Sequence, residues 1–255
     1  MQAKQAIHAD LDSAATAAAA ALGLPTWDAR DWGPRLRYCT STRAIDAFAR
    51  AHAPHAAPFT LTGSGDFHHL AAVFLAAAIG RAALPRGERA VLVSFDNHPD
   101  WDLRPPRWAC GGWLNRALGV SSRGVAVEMA AVWGCGNFEL AWPGRFWRRR
   151  GGRVQVFPAR ERLAPRDARR YPAFDTSAFN AAFEDFARTL SGRPVYITVD
   201  IDCLRASDAV SNWEHGVLST AQVCAALRTL HRHARVFGGD LCGAWSLPRY
   251  ARPLQ

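Results

Sequence analysis

Three short stretches of this chain concentrate the groups able to do chemistry: Gly65-Asp66-Phe67-His68-His69, Asp96-Asn97-His98-Pro99-Asp100 and Asp200-Ile201-Asp202. In an extended chain residues i and i+2 face the same way, so Asp96, His98 and Asp100 share one side, and Asp200 and Asp202 share another. Four carboxylates and two imidazoles brought together in a cleft are costly if they stay buried and unpaired. Two divalent cations would neutralise the four Asp. Carboxylate and imidazole donors without a thiolate suit Mn(II), or another fairly hard cation, better than a structural zinc. A pair of cations about 3.5 Å apart lowers the pKa of a shared water and aims it at an sp² carbon, so the expected chemistry is hydrolysis.

Each stretch follows an apolar run: Phe59-Thr60-Leu61-Thr62, Val91-Leu92-Val93-Ser94-Phe95 and Val195-Tyr196-Ile197-Thr198-Val199. Such runs alternate along the chain with Ala/Leu-rich segments of helical period. This βαβα order predicts a three-layer αβα fold with a mainly parallel sheet. Strands are expected at 35–39, 58–62, 90–95, 129–133, 153–157, 194–199 and 235–239, and helices at 42–53, 67–80, 112–118, 176–190 and 220–233, the last capped by Ser219. The Ala-rich stretch 14–22 follows Asp10 and Asp12, lacks a basic leader and reads as an amphipathic helix. In open parallel sheets ligands gather beyond the carboxyl ends of the strands, which is where the three polar stretches fall. No linker divides the 255 residues, and the expectation is a single domain over 1–255.

Asp96-Asn97-His98-Pro99-Asp100 resembles the DxHxD signature of the arginase and agmatinase (ureohydrolase) family, and Thr198-Val199-Asp200-Ile201-Asp202 resembles its SxDxD signature. Gly65-Asp66-Phe67-His68-His69 looks like a variant of the family's GGDHS segment. The resemblance runs from about residue 58 to about 243 and implies an arginase-like fold with two manganese ions per subunit. The activity it implies is amidinohydrolase: cleavage of a C–N bond of a guanidino or hydroxyguanidino compound, releasing urea or a urea derivative. Carried over residue by residue, Asp96 and Asp200 would bridge the ions, with His68 and Asp100 on one and His98 and Asp202 on the other. The extra aromatic residue in the first segment leaves His69 as an alternative to His68. His68 is favoured because His69-Leu70 then matches the pair that starts the family helix.

The departures from the family pattern bear on substrate. The Asp-Pro after SxDxD is replaced by Leu204-Arg205-Ala206, the region of the proton-shuttling His reads Gly111-Gly112-Trp113-Leu114, and the D-x-x-E segment reads Asp240-Leu241-Cys242-Gly243-Ala244, without its cation-binding Glu. The loop Ser211-Asn212-Trp213-Glu214-His215-Gly216 follows the second metal motif. Glu214 is the candidate to replace the lost carboxylate, and His215 the candidate proton donor. Asp202 is the candidate to orient the attacking water. Two other readings share the motifs: a deacetylase-like amidohydrolase, whose branch has tandem His resembling His68-His69 but uses one metal, and a non-catalytic metal-binding relative.

Composition narrows the partners. With 49% hydrophobic and 21% charged residues and no long apolar run, no membrane association is expected. Cys39, Cys110, Cys135, Cys203, Cys224 and Cys242 form no CxxC pair, which fits a reducing cytoplasm. The net charge of +9 is carried almost wholly by Arg, Lys4 being the only lysine. The dense group Arg145, Arg148, Arg149, Arg150 and Arg153 lies outside any recognition motif, so a solvated face or subunit contact is expected in place of a nucleic-acid site. The expected partner is a small guanidino substrate, and the resemblance implies a homo-oligomer.

Overall fold

A strand buried on both faces reads as a near-continuous apolar run, and residues 90–95 and 194–199, interrupted only by Ser94 and Thr198 near their carboxyl ends, fit that pattern. In the computed structural model, which describes residues 5–102, 108–137, 153–164, 167 and 169–251, they form the middle of the sheet. In chain order the strands are β1 (Ala6–Asp10), β2 (Thr26–Asp28), β3 (Cys39–Thr40), β4 (Phe59–Leu61), β5 (Arg89–Phe95), β6 (Trp108–Ala109), β7 (Ser121–Ser122), β8 (Val125–Trp133), β9 (Val154–Phe157), β10 (Pro194–Asp200) and β11 (Arg235–Cys242). The α-helices are α1 (Thr16–Ala21), α2 (Gly33–Leu36), α3 (Thr42–His52), α4 (Ala71–Arg81), α5 (Leu114–Ala117), α6 (Phe179–Thr189) and α7 (Thr220–His233).

The main sheet has nine strands in the order β2-β1-β4-β11-β10-β5-β8-β7, with β9 also paired to β8. All its pairings are parallel except β7 with β8. Alternation along β5 sends Ala90 and Leu92 to one core and Val91, Val93 and Phe95 to the other. The first core is completed by Phe48 of α3 and Phe74, Leu75 and Ile79 of α4. The second is completed by Phe179 and Phe183 of α6 and Val223 and Leu230 of α7. The result is the expected three-layer αβα architecture. α7 begins with a capping box in which the Ser219 hydroxyl accepts from the Gln222 N–H and the Gln222 side chain accepts from the Ser219 N–H.

Some expected elements differ. Residues 35–39 are not a strand: Pro34 sits in the first turn of α2, where its missing N–H costs nothing, and extended pairing begins only at Cys39. The helix expected from 67 opens as a 3-10 segment, Gly65–Leu70, before α4. The strand expected to end at 239 runs on to Cys242, three residues into the site. The edge strand β2 and its neighbour β1 are short and mixed in character and carry no period-2 signal. Arg145, Arg148, Arg149 and Arg150 lie outside the described residues; Arg153, which precedes β9, donates from its guanidinium to the carbonyls of Glu128 and Leu118.

Candidate metal centre

Strands β4, β11, β10 and β5 are neighbours, so the turns that leave their carboxyl ends meet at the middle of the sheet. From β4 the chain enters the 3-10 segment that carries His68; β5 delivers Asp96, His98 and Asp100; β10 delivers Asp200 and, one short turn later, Asp202. All six side chains are buried. Local geometry fixes them. Asp96 accepts from the His98 N–H at 2.7 Å, and Asp200 from the Asp202 N–H at 3.0 Å. Asp100 takes φ of 45°, in the left-handed region that Asp tolerates better than most side chains, and so turns back toward His68.

Two groups result, sharing Asp96. His68 Nδ1 lies 3.1 Å from Asp96 Oδ2 and 3.0 Å from Asp100 Oδ2. His98 Nδ1 lies 3.5 Å from Asp96 Oδ1 and 2.8 Å from Asp202 Oδ2. In each group the three ligand atoms lie within 4.8 Å of one another. Asp200 lies beside the first, with Oδ2 3.8 Å from His68 Nδ1. A Cβ added to Gly65 would stand 2.5 Å from that same Oδ2, so the glycine leaves this face of Asp200 clear. His69 is buried outside these groups; in a 3-10 turn, neighbouring side chains diverge by about 120°.

The tautomer of His68 tests whether cations fit. Thr198 has one hydroxyl proton and gives it to Asp240 Oδ1 at 2.7 Å; Asp240 Oδ2 accepts from Tyr196 OH, also at 2.7 Å. The Thr198 oxygen is then left to accept from His68 Nε2, 2.8 Å away. With its proton committed to Nε2, a neutral His68 points the Nδ1 lone pair at two carboxylate oxygens, an arrangement that is repulsive unless a proton or a metal cation lies between them. Asp96 Oδ2 is likewise buried and faces no donor other than His68 among the described residues. The donor set fits two divalent cations.

The electrostatics of the protein alone agree. Burial disfavours charge on the histidines, but Asp100 and Asp96 hold His68 protonated well above its usual range. In the same way Asp202 and Asp96 push His98 up to about 12. Burial, reinforced by Asp96, lifts Asp100 to about 7. Burial also raises Asp200, and burial with the neighbouring Asp200 raises Asp202 well above the carboxylate range. Asp96 runs the other way: burial is outweighed by His68 and His98, which hold it low.

The cluster forms the floor of a cleft of about 450 Å³ whose walls include Tyr38, Asp102, Cys110 and Trp213. Trp213 stands edge-on to His98 with ring centroids 5.5 Å apart and lies nearly parallel to Tyr38. Its loop is pinned over the site by Asn97 Nδ2, which donates to the Glu214 carbonyl at 2.8 Å. The Glu214 carboxylate is 67% exposed, with Oε2 3.4 Å from His98 Nε2. His215 does not line the cleft; its Nδ1 is buried with no hydrogen-bond partner among the described residues.

Several contributors were not anticipated. Trp113 donates from Nε1 to Asp100 Oδ2 at 2.6 Å and packs against the His68 ring. Asp66 accepts from Trp213 Nε1 at 3.1 Å and from the buried Arg37 at 2.7 Å, so it anchors the aromatic wall. Cys242 approaches Asp200, its Sγ 3.5 Å from Oδ2. An aromatic indole where a His was expected, and a strand that ran longer than its pattern, were the only signals available for Trp113 and Cys242.

No protein-family model and no curated protein sequence matches this chain. Solved structures do. The arginase from Bacillus cereus superposes with a TM-score of 0.65 at 16% identity, over 94% of this chain and 90% of that one. A hypothetical agmatinase from Burkholderia thailandensis gives 0.57 at 20% identity, over 99% and 80%. The agmatine ureohydrolase of Thermoplasma volcanium gives 0.54 at 15%, over 95% and 82%. At these identities the likeness is one of fold: the architecture is the arginase-like three-layer sheet.

Proposed function

We propose that this chain, which has the fold of arginases and agmatinases, is a divergent member of that family: a single metallohydrolase domain over 1–255 that cleaves a C–N bond of a guanidino or hydroxyguanidino compound and releases urea or a urea derivative. The observation that carries the reading is the pair of buried groups, His68/Asp96/Asp100 and Asp96/His98/Asp202, sharing one carboxylate with Asp200 alongside. His68, Asp96, Asp100, Asp200, His98 and Asp202 would hold two divalent cations, and a donor set dominated by carboxylate and imidazole favours manganese. Bound there, two cations would supply Lewis acidity and lower the pKa of water to near neutrality.

The remaining work falls to the chain's own side chains. Asp202 is held by the Asn97 N–H on Oδ1, at 3.0 Å, and faces His98 with Oδ2; from there it would orient the attacking water. Glu214 is the carboxylate available to a planar cationic group, and Trp213 is the wall beside it. As the C–N bond breaks, the electron pair stays on nitrogen and the leaving amine needs a proton. His215, the expected donor, follows Glu214 in the same loop but does not line the cleft, so the donor's role is not assigned to it.

The substrate we propose is a small guanidino compound, with no nucleic-acid or membrane partner, in a homo-oligomer in the cytoplasm. Two structural facts bear on the setting: all six cysteines are free thiols, and no described helix is long and apolar enough to cross a membrane. The test is metal analysis of the purified chain coupled to a screen for urea or hydroxyurea release from arginine, agmatine, guanidinobutyrate and hydroxyguanidines. Two metals per subunit with urea release is the expected result. A single stoichiometric zinc with amide hydrolysis would replace the reading by the deacetylase-like one. Metal without turnover of any guanidino or amide compound would leave a non-catalytic relative.

A further inference from the structure

The two cation positions are not chemically alike. Around His98 the neighbouring donors are Asp96 and Asp202, oxygen and nitrogen only. Around His68 a third buried group completes itself: His68 Nδ1, Asp200 Oδ2 and Cys242 Sγ also lie within 4.8 Å of one another. The fold brings the sulfur there by register. Cys242 pairs with Asp200 across β10 and β11, and alternation along β11 turns Asp240 and Cys242 to one side while Leu241 faces out, 39% exposed. β11 thus bears on both ring nitrogens of His68, indirectly at Nε2 through Asp240 and the Thr198 hydroxyl of β10, and near Nδ1 through Cys242. Between the sulfur and the imidazole stands the face of Asp200 that Gly65 leaves clear, and next to it the buried Asp96 Oδ2, which faces no donor other than His68 among the described residues.

Building on the reading of this cluster as a cation site, we propose that Cys242 supplies a thiolate to the His68 position. That position is then a mixed nitrogen, oxygen and sulfur site which prefers a borderline cation, zinc or cobalt(II), in place of one of the two manganese ions, while the His98 position, with oxygen and nitrogen donors alone, takes the harder manganese. Thiolate is a soft donor and selects zinc over manganese more strongly than carboxylate does. On binding, the Cys242 thiol loses its proton to solvent as the sulfur–metal bond forms. Cys110 lines the same cleft and Cys203 follows Asp202 in sequence, yet neither joins a metal-competent group among the described residues.

The experiment uses the full chain, stripped with chelator and reloaded with zinc or cobalt(II). X-ray absorption on the zinc-loaded wild type should show one sulfur scatterer at about 2.3 Å. Cobalt(II) should give a sulfur-to-metal charge-transfer band in the near ultraviolet. Cys242→Ser should lose both signatures and bind zinc at least tenfold more weakly, with manganese at the second position unaffected; Cys110→Ser should keep both. Stoichiometric zinc with only nitrogen and oxygen scatterers overturns the proposal and leaves the binuclear reading intact, as does a charge-transfer band that survives Cys242→Ser or vanishes in Cys110→Ser. Failure of the wild type to bind any of the three metals overturns both.

Discussion

Thr198 has one hydroxyl proton, and because Asp240 takes it, the Thr198 oxygen can only accept from His68 Nε2. That single bond sets the His68 tautomer, as carboxylate partners commonly do for metal-binding histidines. Thr198→Val keeps the shape and removes the acceptor; metal affinity at the His68 position should fall about ten- to a hundredfold in a chelator competition, and an unchanged affinity would refute the relay. Asp96 is the one carboxylate common to both three-residue groups that contain the β5 side chains, so Asp96→Asn should deplete both positions, whereas Asp202→Asn should deplete chiefly the one at His98. Metal content by mass spectrometry separates these outcomes. Glu214 is exposed and binds no proposed ligand except through its neighbour His98, so Glu214→Gln should leave metal content intact. If its charge faces a guanidinium, the variant loses kcat/KM by roughly ten- to a thousandfold, the signature of lost substrate or transition-state binding. Full activity in the Gln variant would make the loop scaffolding.

At the scale of elements, what was legible in the sequence is what has both a strong period and a central place. β5 and β10 read as continuous apolar runs because they are covered on both faces, and α7 announced itself through Ser219 and Gln222. β1 and β2 did not, since β1 buries the polar His8 and Asp10 and β2 is a three-residue edge strand, so neither shows regular alternation. The six proposed ligands were legible because their spacing survives independently of the fold, whereas Trp113, Asp66 and Cys242 serve the site through contacts that only tertiary packing creates. α3 yields a prediction the motifs could not supply. Its His52 is packed among Trp27, Phe48 and Phe74, and burial, with a smaller contribution from His55, lowers its pKa to about 4 from the ordinary 6.5. The unfolded chain therefore binds a proton that the folded chain refuses: stability is complete above 6.5, declines as pH falls toward about 4, and levels off below it. The slope from this residue approaches about 1.4 kcal/mol per pH unit inside that window. Urea denaturation of His52→Phe against wild type at several pH values checks it; equal slopes would show that His52 is not the group responsible.

Over the whole molecule, the proposed cations would tie together chain segments far apart in sequence. His68 leaves β4, Asp96 to Asp100 leave β5, and Asp200 and Asp202 leave β10, while β11 between them carries Asp240 and Cys242. A ligand that binds only when these strand ends are assembled stabilises the assembled state by mass action. At a hundredfold excess over its Kd that is about 2.7 kcal/mol per site. For a chain of this size a kilocalorie moves Tm by about 2 to 4 °C, so saturating one site should raise Tm by roughly 5 to 10 °C, and chelation should reverse the gain. The increment should depend on pH in a definite sense. In the protein alone burial lifts Asp100 to about 7 and raises Asp200 and Asp202, and His68 and His98 hold protons well above their usual range. A cation must displace those protons, so its stabilising effect grows as pH rises and shrinks as pH falls below about 7. Thermal melts with manganese, zinc or cobalt(II) at several pH values measure both features, with Asp96→Asn as the control in which the metal-dependent shift should largely disappear. Identical melts with and without every metal, or a shift that persists undiminished in Asp96→Asn, would mean that these strand ends are held by protons and hydrogen bonds alone.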